Sequence, residues 1–270
     1  MPAIDLTRLR TKIALLKKLY EYPSEFIKDL RELFSSYAGT PSSSTANLNT
    51  AAHNPAFNSP ALLSREIELA FLNYPPEYPH QTLKLIDPLW EQPESELRQL
   101  AIFLLSRLPV DQNEAIVERT LQWSQAQDAS ALAPLLLQQA CKAVRRENPR
   151  VWLDLLNSWK TGVDPMKKRM ALSGLIPLIQ DADYANFPEL YPYLASFFAV
   201  FDPQLQNELR FVLLTLTARS EVETIYFLKQ MIALHPTPAL GRFLRQSLEQ
   251  FPERTQNSLR EAMRNQPGLK

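Results

Sequence analysis

Glycine and cysteine are both scarce in this sequence, and each shortage excludes a class of protein. Only five glycines occur in 270 residues, whereas sheet-rich folds use glycine freely in hairpin turns. Neither of the common glycine-rich motifs that hold nucleotide phosphates is present. The single Cys141 excludes an intramolecular disulfide and a cysteine cluster for zinc. We expect it to be buried among apolar residues.

Histidine is also scarce, and the chain has no net charge. None of His53, His80 and His235 has a second histidine or a carboxylate at metal-binding spacing, so we expect no metal and no cofactor. Lys and Arg together number 29, as do Asp and Glu, which disfavours a generic binder of nucleic acid or membrane surfaces. No apolar run is long enough to span a bilayer, and the first residues do not resemble a signal peptide. We therefore expect a soluble cytoplasmic protein without a membrane partner.

The chain does contain 22 prolines and many apolar residues at helical spacing. The residues Leu6, Leu9, Ile13 and Leu16 predict an amphipathic helix over 4–20, and a second helix follows over 24–39. Residues 40–60 are rich in Ser, Thr, Asn, Ala and Pro and show no apolar face, which is typical of a flexible linker.

From residue 61 onward the helical pattern continues with few breaks. We predict helices over 61–73, 79–90, 93–107, 111–126, 130–147, 149–160, 164–180, 187–200, 203–219, 221–234, 238–250 and 252–265. The predicted organisation is an N-terminal helical pair (1–39), a flexible low-complexity linker (40–60) and a helical array (61–270).

Helical pairs recur about every 35–40 residues in this array, as in α-solenoids. The stretch ELRQLAIFLLSRLP (96–109) is echoed by KKRMALSGLIPLI (167–179) and NELRFVLLTLTAR (207–219). Each places a basic residue before an apolar face, as inner helices of HEAT-like repeats do. The predicted fold is all-α, a right-handed α-α superhelix of HEAT-like hairpins whose function lies on a concave basic face.

Positive charge is concentrated in residues 142–169, which carry eight basic and only three acidic residues. In a curved stack these charges could form a groove that matches a phosphate backbone. The candidate DNA-binding residues are Lys142, Arg145, Arg146, Trp152, Trp159, Lys167, Lys168 and Arg169. A solvated helix face accounts equally well for the charges, and core packing is the alternative for Trp152 and Trp159.

Three stretches resemble the AlkD-like DNA alkylation repair family: LWEQPESELRQLAIFLLSRL (89–108), ENPRVWLDLLNSW (147–159) and KKRMAL (167–172). The resemblance implies a HEAT-like repeat protein that binds duplex or damaged DNA in a basic concave groove. It also implies that Arg169 is a groove-lining residue that contacts DNA.

The sequence departs from that family where the chemistry of base excision is expected. Family members carry a tryptophan and aspartate cluster there, whereas ASALAPLLL (129–137) has neither an aromatic nor an acidic residue. A further alternative is an alkylpurine DNA glycosylase whose acid lies elsewhere, for which Asp128 and Asp154 are the best candidates in the sequence. The catalytic residues are therefore unknown, and enzymatic activity stays open. The alternative is a scaffold, without enzymatic activity, that holds a protein partner in its groove.

Overall fold

The computed structural model describes residues 5–38, 56–124, 126, 132–162 and 164–269. No strand occurs in these ranges, which confirms the all-α prediction for the described part of the chain. The helices are α1 Leu6–Lys18, α2 Pro23–Ser36, α3 Ala61–Phe71, α4 Tyr74–Glu77, α5 Pro79–Trp90, α6 Ser95–Leu105, α7 Asn113–Ser124, α8 Ala133–Leu135, α9 Lys142–Glu147, α10 Pro149–Lys160, α11 Pro165–Ser173, α12 Leu175–Gln180, α13 Leu190–Ala199, α14 Gln206–Arg219, α15 Glu221–Leu234, α16 Pro238–Ser247 and α17 Glu253–Arg264. None of these helices is both long enough and apolar enough to cross a membrane.

Most predicted helices have their observed counterpart within two or three residues, and two are divided. The predicted helix 164–180 is two helices, α11 and α12, which meet at Gly174. The predicted helix 130–147 contains a π-helical stretch, Leu136–Ala140, between α8 and α9. Most of the predicted linker (40–60), namely residues 40–55, lies outside the described residues.

Contacts between helices divide the chain into two compact units, Met1–Val144 and Arg145–Lys270. In the N-terminal unit, α1 packs on α2 and α3, and α2 packs on α5. The rings of Tyr20, Phe26 and Phe71 meet in its core, and the Tyr20 hydroxyl lies 2.6 Å from that of Thr82. The predicted N-terminal helical pair therefore belongs to the same compact unit as α3 and α5.

In the C-terminal unit, helices that follow one another in sequence pack together: α10 on α11, and α14 on α15. Contacts of α14 with α11 and α12, and of α15 with α13 and α17, complete the core. Helical pairs of this kind are the units from which HEAT-like arrays are built. The superhelical arrangement stays a prediction.

Candidate nucleic-acid interface

Two well-capped helices, α10 and α11, carry most of the predicted DNA-binding residues. The Asn148 side chain accepts a hydrogen bond from the backbone N–H of Val151 at the start of α10, and Asp164 does the same for Met166 at the start of α11. A proline follows each of these caps, which suits the first position of a helix. Lys167, Lys168 and Arg169 therefore lie on the first turns of a helix whose start is fixed by its sequence.

The predicted residues differ widely in exposure. Lys142, Arg146 and Arg169 are exposed, and Lys167 and Lys168 are half-buried. All five can meet a partner from solvent. Lys142 lies in the N-terminal unit, and the other four lie in the C-terminal unit.

Trp152 and Trp159 are core residues, with exposed fractions of 0% and 2%. The Trp152 Nε1 donates a hydrogen bond of 3.0 Å to the backbone oxygen of Gly174, and the two indole rings meet edge to face at 6.1 Å. Both rings are enclosed by protein atoms, so neither indole can contact DNA in this structure. Both tryptophans therefore pack in the core, which was the alternative interpretation of their spacing. Neither is a candidate contact to DNA.

Arg145 is also buried, with an exposed fraction of 4%. Its guanidinium lies 5.8 Å from the centre of the Trp152 ring, an arrangement that stabilises a cation over an aromatic face. Its helical spacing suggested that Arg145 shares a face with Lys142 and Arg146. Spacing alone does not show which residues of a helix are buried against its neighbours. Arg145 supports the α10 core and does not present its charge to a partner.

Arg146 is exposed, but an acidic residue already binds it. Its Nε lies 2.9 Å from Asp181 Oδ2, and its Nη2 lies 4.0 Å from Asp183 Oδ2. The hydrogen bond from Arg146 lowers the pKa of the Asp181 carboxyl below its ordinary value. Much of the Arg146 charge is therefore offset within the protein.

Arg169 also has acidic and carbonyl partners, although they hold it loosely. Its Nε lies 3.8 Å from Glu208 Oε1, and its Nη2 donates a 3.3 Å hydrogen bond to the Gln204 carbonyl. Both distances are at the long end for such contacts, and the Arg169 side chain is 46% exposed. Arg169 can therefore exchange these loose partners for a phosphate at little cost in lost contacts.

Lys160, at the end of α10, adds a positive charge that was not among the candidate residues. Its Nζ lies 4.3 Å from the centre of the Tyr193 ring, and the Tyr193 hydroxyl donates hydrogen bonds to the carbonyls of Leu156 and Ala171. Partial burial lowers the pKa of the Lys160 amine, an effect that the ring face opposes because it favours the charged form.

The region expected to hold the excision chemistry offers no acid in its described part. Leu136 and Leu137, in the stretch 129–137, are buried, whereas residues 129–131 and Asp128 lie outside the described residues. Asp154 is exposed on α10. His53 also lies outside the described residues. Within the described ranges, no three side chains of His, Cys, Asp or Glu are grouped so that they could hold a metal ion.

Glu208 is a residue that the sequence did not single out, although it contacts the predicted DNA-binding arginine. It lies in the first turn of α14, where acidic residues are common because they suit the helix dipole. Nothing in the pattern separates it from the other first-turn acids. Only the packing of α14 on α11 brings it to Arg169.

Comparison with protein families agrees with the resemblance carried by the sequence. The family model described as DNA alkylation repair enzyme matches residues 64–202, about half of the chain. The chain belongs to this family. No curated protein and no solved structure matches it.

Membership of the DNA alkylation repair family indicates a function related to DNA repair. The matched residues run from α3 to the end of α13 and include Lys167, Lys168 and Arg169. Glu208 lies beyond the match. Its contact with Arg169 is therefore a feature of this chain that the family match does not describe.

Proposed function

We propose that this member of the DNA alkylation repair family binds duplex or damaged DNA through basic side chains of its C-terminal unit. The observation that carries the proposal is the position of three basic side chains on the first turns of α11, inside the range that matches the family. Arg169 is exposed, and Lys167 and Lys168 are half-buried. In a right-handed superhelix of HEAT-like pairs, these side chains would line the concave basic groove.

Electrostatics favours a phosphate partner for this segment. No ion pair joins Lys167 or Lys168 to a carboxylate in the described part of the chain, and Arg169 has only loose partners. Neutralising phosphates releases the counterions condensed on DNA, which favours binding at low salt. Such binding does not require the acid that residues 129–137 lack.

A protein-binding scaffold is the second candidate function, and exposed apolar residues favour it. Phe211 on α14 and Val222 and Tyr226 on α15 have exposed fractions of 60%, 55% and 65%. Val222 and Tyr226 share a helix face because they lie four residues apart. Large apolar side chains at an exposed surface are typical of protein interfaces.

Binding to duplex DNA, intact and with an abasic analogue, measured as a function of salt concentration, tests the proposal. We expect affinity that falls steeply with salt, since each neutralised phosphate contributes a slope of about −0.9 in a plot of log affinity against log salt. Arg169→Ala should flatten that slope by roughly one phosphate contact. The control is Arg254→Ala, which removes an exposed arginine of α17 in the same unit.

The two functions give different results in this experiment. No binding to either duplex at low salt would exclude the DNA-binding function and leave the scaffold. If Arg169→Ala and Arg254→Ala weakened binding equally, the binding would depend on overall charge and not on α11.

A further inference from the structure

A surface groove of the N-terminal unit lies between α1 and α3 and has a volume of about 320 Å³. Ile13 and Ala14 of α1 and Leu69 and Ala70 of α3 form its apolar part. Leu69 is 56% exposed, and Ala14 is exposed as well. The described part of the chain therefore leaves the apolar surface of this groove open to solvent, which is typical of a binding site for a partner.

Two basic side chains of α1 bound this groove. The Arg10 Nε lies 3.1 Å from Glu66 Oε2, and the Arg10 side chain is 67% exposed. The Lys17 Nζ lies 5.5 Å from the centre of the Tyr74 ring, and in the described ranges no ion pair joins Lys17 to a carboxylate. Because Arg10 and Lys17 are seven residues apart, they lie about 10 Å from each other along α1, or two helical turns.

The charge of α1 is of one sign. Leu6–Lys18 contains five basic and no acidic residues. Glu66 offsets part of the Arg10 charge, but an ion pair this exposed is weak and is easily exchanged. The acids Asp29 and Glu32 lie on the other side of α1, where it faces α2. The groove between α1 and α3 therefore combines an apolar middle with positive charge at two points along its length.

An acidic amphipathic helix matches this combination. Its apolar residues, at positions i, i+3, i+4 and i+7, enter a groove between two helices, and acidic residues beside them meet Arg10 and Lys17. Duplex DNA matches the groove less well, because its phosphates provide no apolar surface for Leu69 and the Glu66 carboxylate repels them.

We propose that the groove between α1 and α3 binds an acidic amphipathic helix of a partner protein. The groove lies in the N-terminal unit, whereas the basic side chains assigned to DNA lie on α11 of the C-terminal unit. The helix that supplies its positive charge, α1, lies outside the range that matches the DNA alkylation repair family. The inference does not depend on the proposed DNA-binding function, and either can fail alone.

Two synthetic helical peptides of about 18 residues serve as probes. The first has leucine at positions i, i+3, i+4 and i+7 and glutamate on both sides of that apolar face. The second has lysine in place of every glutamate. Fluorescence anisotropy of the labelled peptides measures their affinity for the full chain. We expect the glutamate peptide to bind about tenfold more tightly than the lysine peptide, with an affinity that falls as salt rises.

Leu69→Gln tests the apolar part of the groove. It should weaken binding of the glutamate peptide by about five- to tenfold, because the leucine no longer buries its surface against the peptide. Leu15→Gln is the matched control. Leu15 is 53% exposed, much as Leu69 is, but it lies on the side of α1 that faces α2, so affinity should not change. Circular dichroism shows whether each variant folds.

Lys17→Glu tests the charge. It should weaken binding of the glutamate peptide by about tenfold and strengthen binding of the lysine peptide, because the preferred charge of the partner is exchanged. Lys28→Glu makes the same change at an exposed position of α2 and should have no effect on either peptide. An exchange of preference cannot come from loss of the fold, so Lys17→Glu carries the test if Leu69→Gln does not fold.

Four results would overturn the proposal. The first is no binding of the glutamate peptide to the unchanged protein at low salt. The second is equal weakening by Leu15→Gln and Leu69→Gln, which would place the peptide outside this groove. The third is a loss of duplex DNA affinity in Lys17→Glu as large as in Arg169→Ala, which would assign α1 to nucleic acid. The fourth is a dimer, detected by light scattering, that Leu69→Gln dissociates, since the groove would then hold a second copy of the chain.

Discussion

At the scale of single residues, Asp181 shows how an ion pair links stability to pH. Its carboxylate accepts two hydrogen bonds from Arg146, of 2.9 and 3.4 Å, and the first of these contacts lowers the pKa of the carboxyl. A carboxyl whose pKa is lower in the folded protein contributes stability above its ordinary pKa. That contribution is lost as the pH falls through the folded value.

Asp181→Asn should therefore lower the free energy of unfolding by about 0.5–1 kcal/mol at pH 7. The difference from the unchanged protein should disappear below the ordinary aspartate pKa of about 4, as the folded carboxyl takes up its proton. Urea unfolding between pH 2.5 and 7 measures both effects. Asp183→Asn is the matched control, because this exposed carboxylate only reaches 4.0 Å from Arg146 and should cost about 0.3 kcal/mol or less. A difference for Asp181→Asn that did not change with pH would show that packing, not charge, is responsible.

Residue types and spacing located the basic segment but not the state of each side chain within it. The concentration of charge around α10 and α11 is visible in sequence, and so is Arg169. Burial of Arg145 and the pairing of Arg146 with Asp181 depend on which helices lie opposite, and the sequence does not contain that information in a local form. Glu208 was missed for the same reason, since its contact with Arg169 joins α14 to α11.

At the scale of elements, the helices were predicted well because proline and acidic residues mark their starts. The bounds of α5, α10 and α15 match the predicted helices 79–90, 149–160 and 221–234. The break at Gly174 was not predicted, because a glycine within a helical pattern is usually tolerated. Packing against α10 accounts for the break. The Trp152 ring occupies the space beside Gly174 and donates a hydrogen bond to the Gly174 carbonyl.

Gly174→Ala tests this close approach of α10 to the junction of α11 and α12. An added Cβ would lie 2.5 Å from Leu156 Cδ2 and 3.1 Å from the Trp152 ring, so the core must shift. We expect a loss of about 1–3 kcal/mol in the free energy of unfolding, partly reduced by the better helix propensity of alanine. Chemical denaturation measures the loss.

Gly162→Ala provides the comparison for this element. Its added Cβ would meet no atom closer than 3.5 Å, and its φ is not positive. Such a change should be neutral or stabilise by up to about 1 kcal/mol, because alanine restricts the unfolded chain. Equal effects of the two substitutions would contradict the packing explanation for the helix break.

At the scale of the whole molecule, the balance of 29 basic and 29 acidic residues limits how DNA binding can arise. A protein without net charge attracts DNA weakly from a distance, so the binding energy must come from a local surface. The surface proposed here is the basic segment of α11, which lies inside the range of the family match. The contributions of net charge and of local charge to DNA binding can be distinguished experimentally. The comparison removes equal numbers of basic side chains from α11 and from other exposed helices.

Lys167→Ala combined with Lys168→Ala should reduce the steepness of the salt dependence of duplex binding by about 2, because two phosphate contacts are lost. Arg242→Ala combined with Arg254→Ala changes the net charge by the same amount, at exposed positions of α16 and α17, and should leave the slope unchanged. Fluorescence anisotropy with a labelled duplex over a range of salt concentrations gives both slopes. Equal reductions in the two double variants would show that binding follows the net charge of the molecule. Unchanged slopes in both would place the DNA contacts elsewhere than on α11.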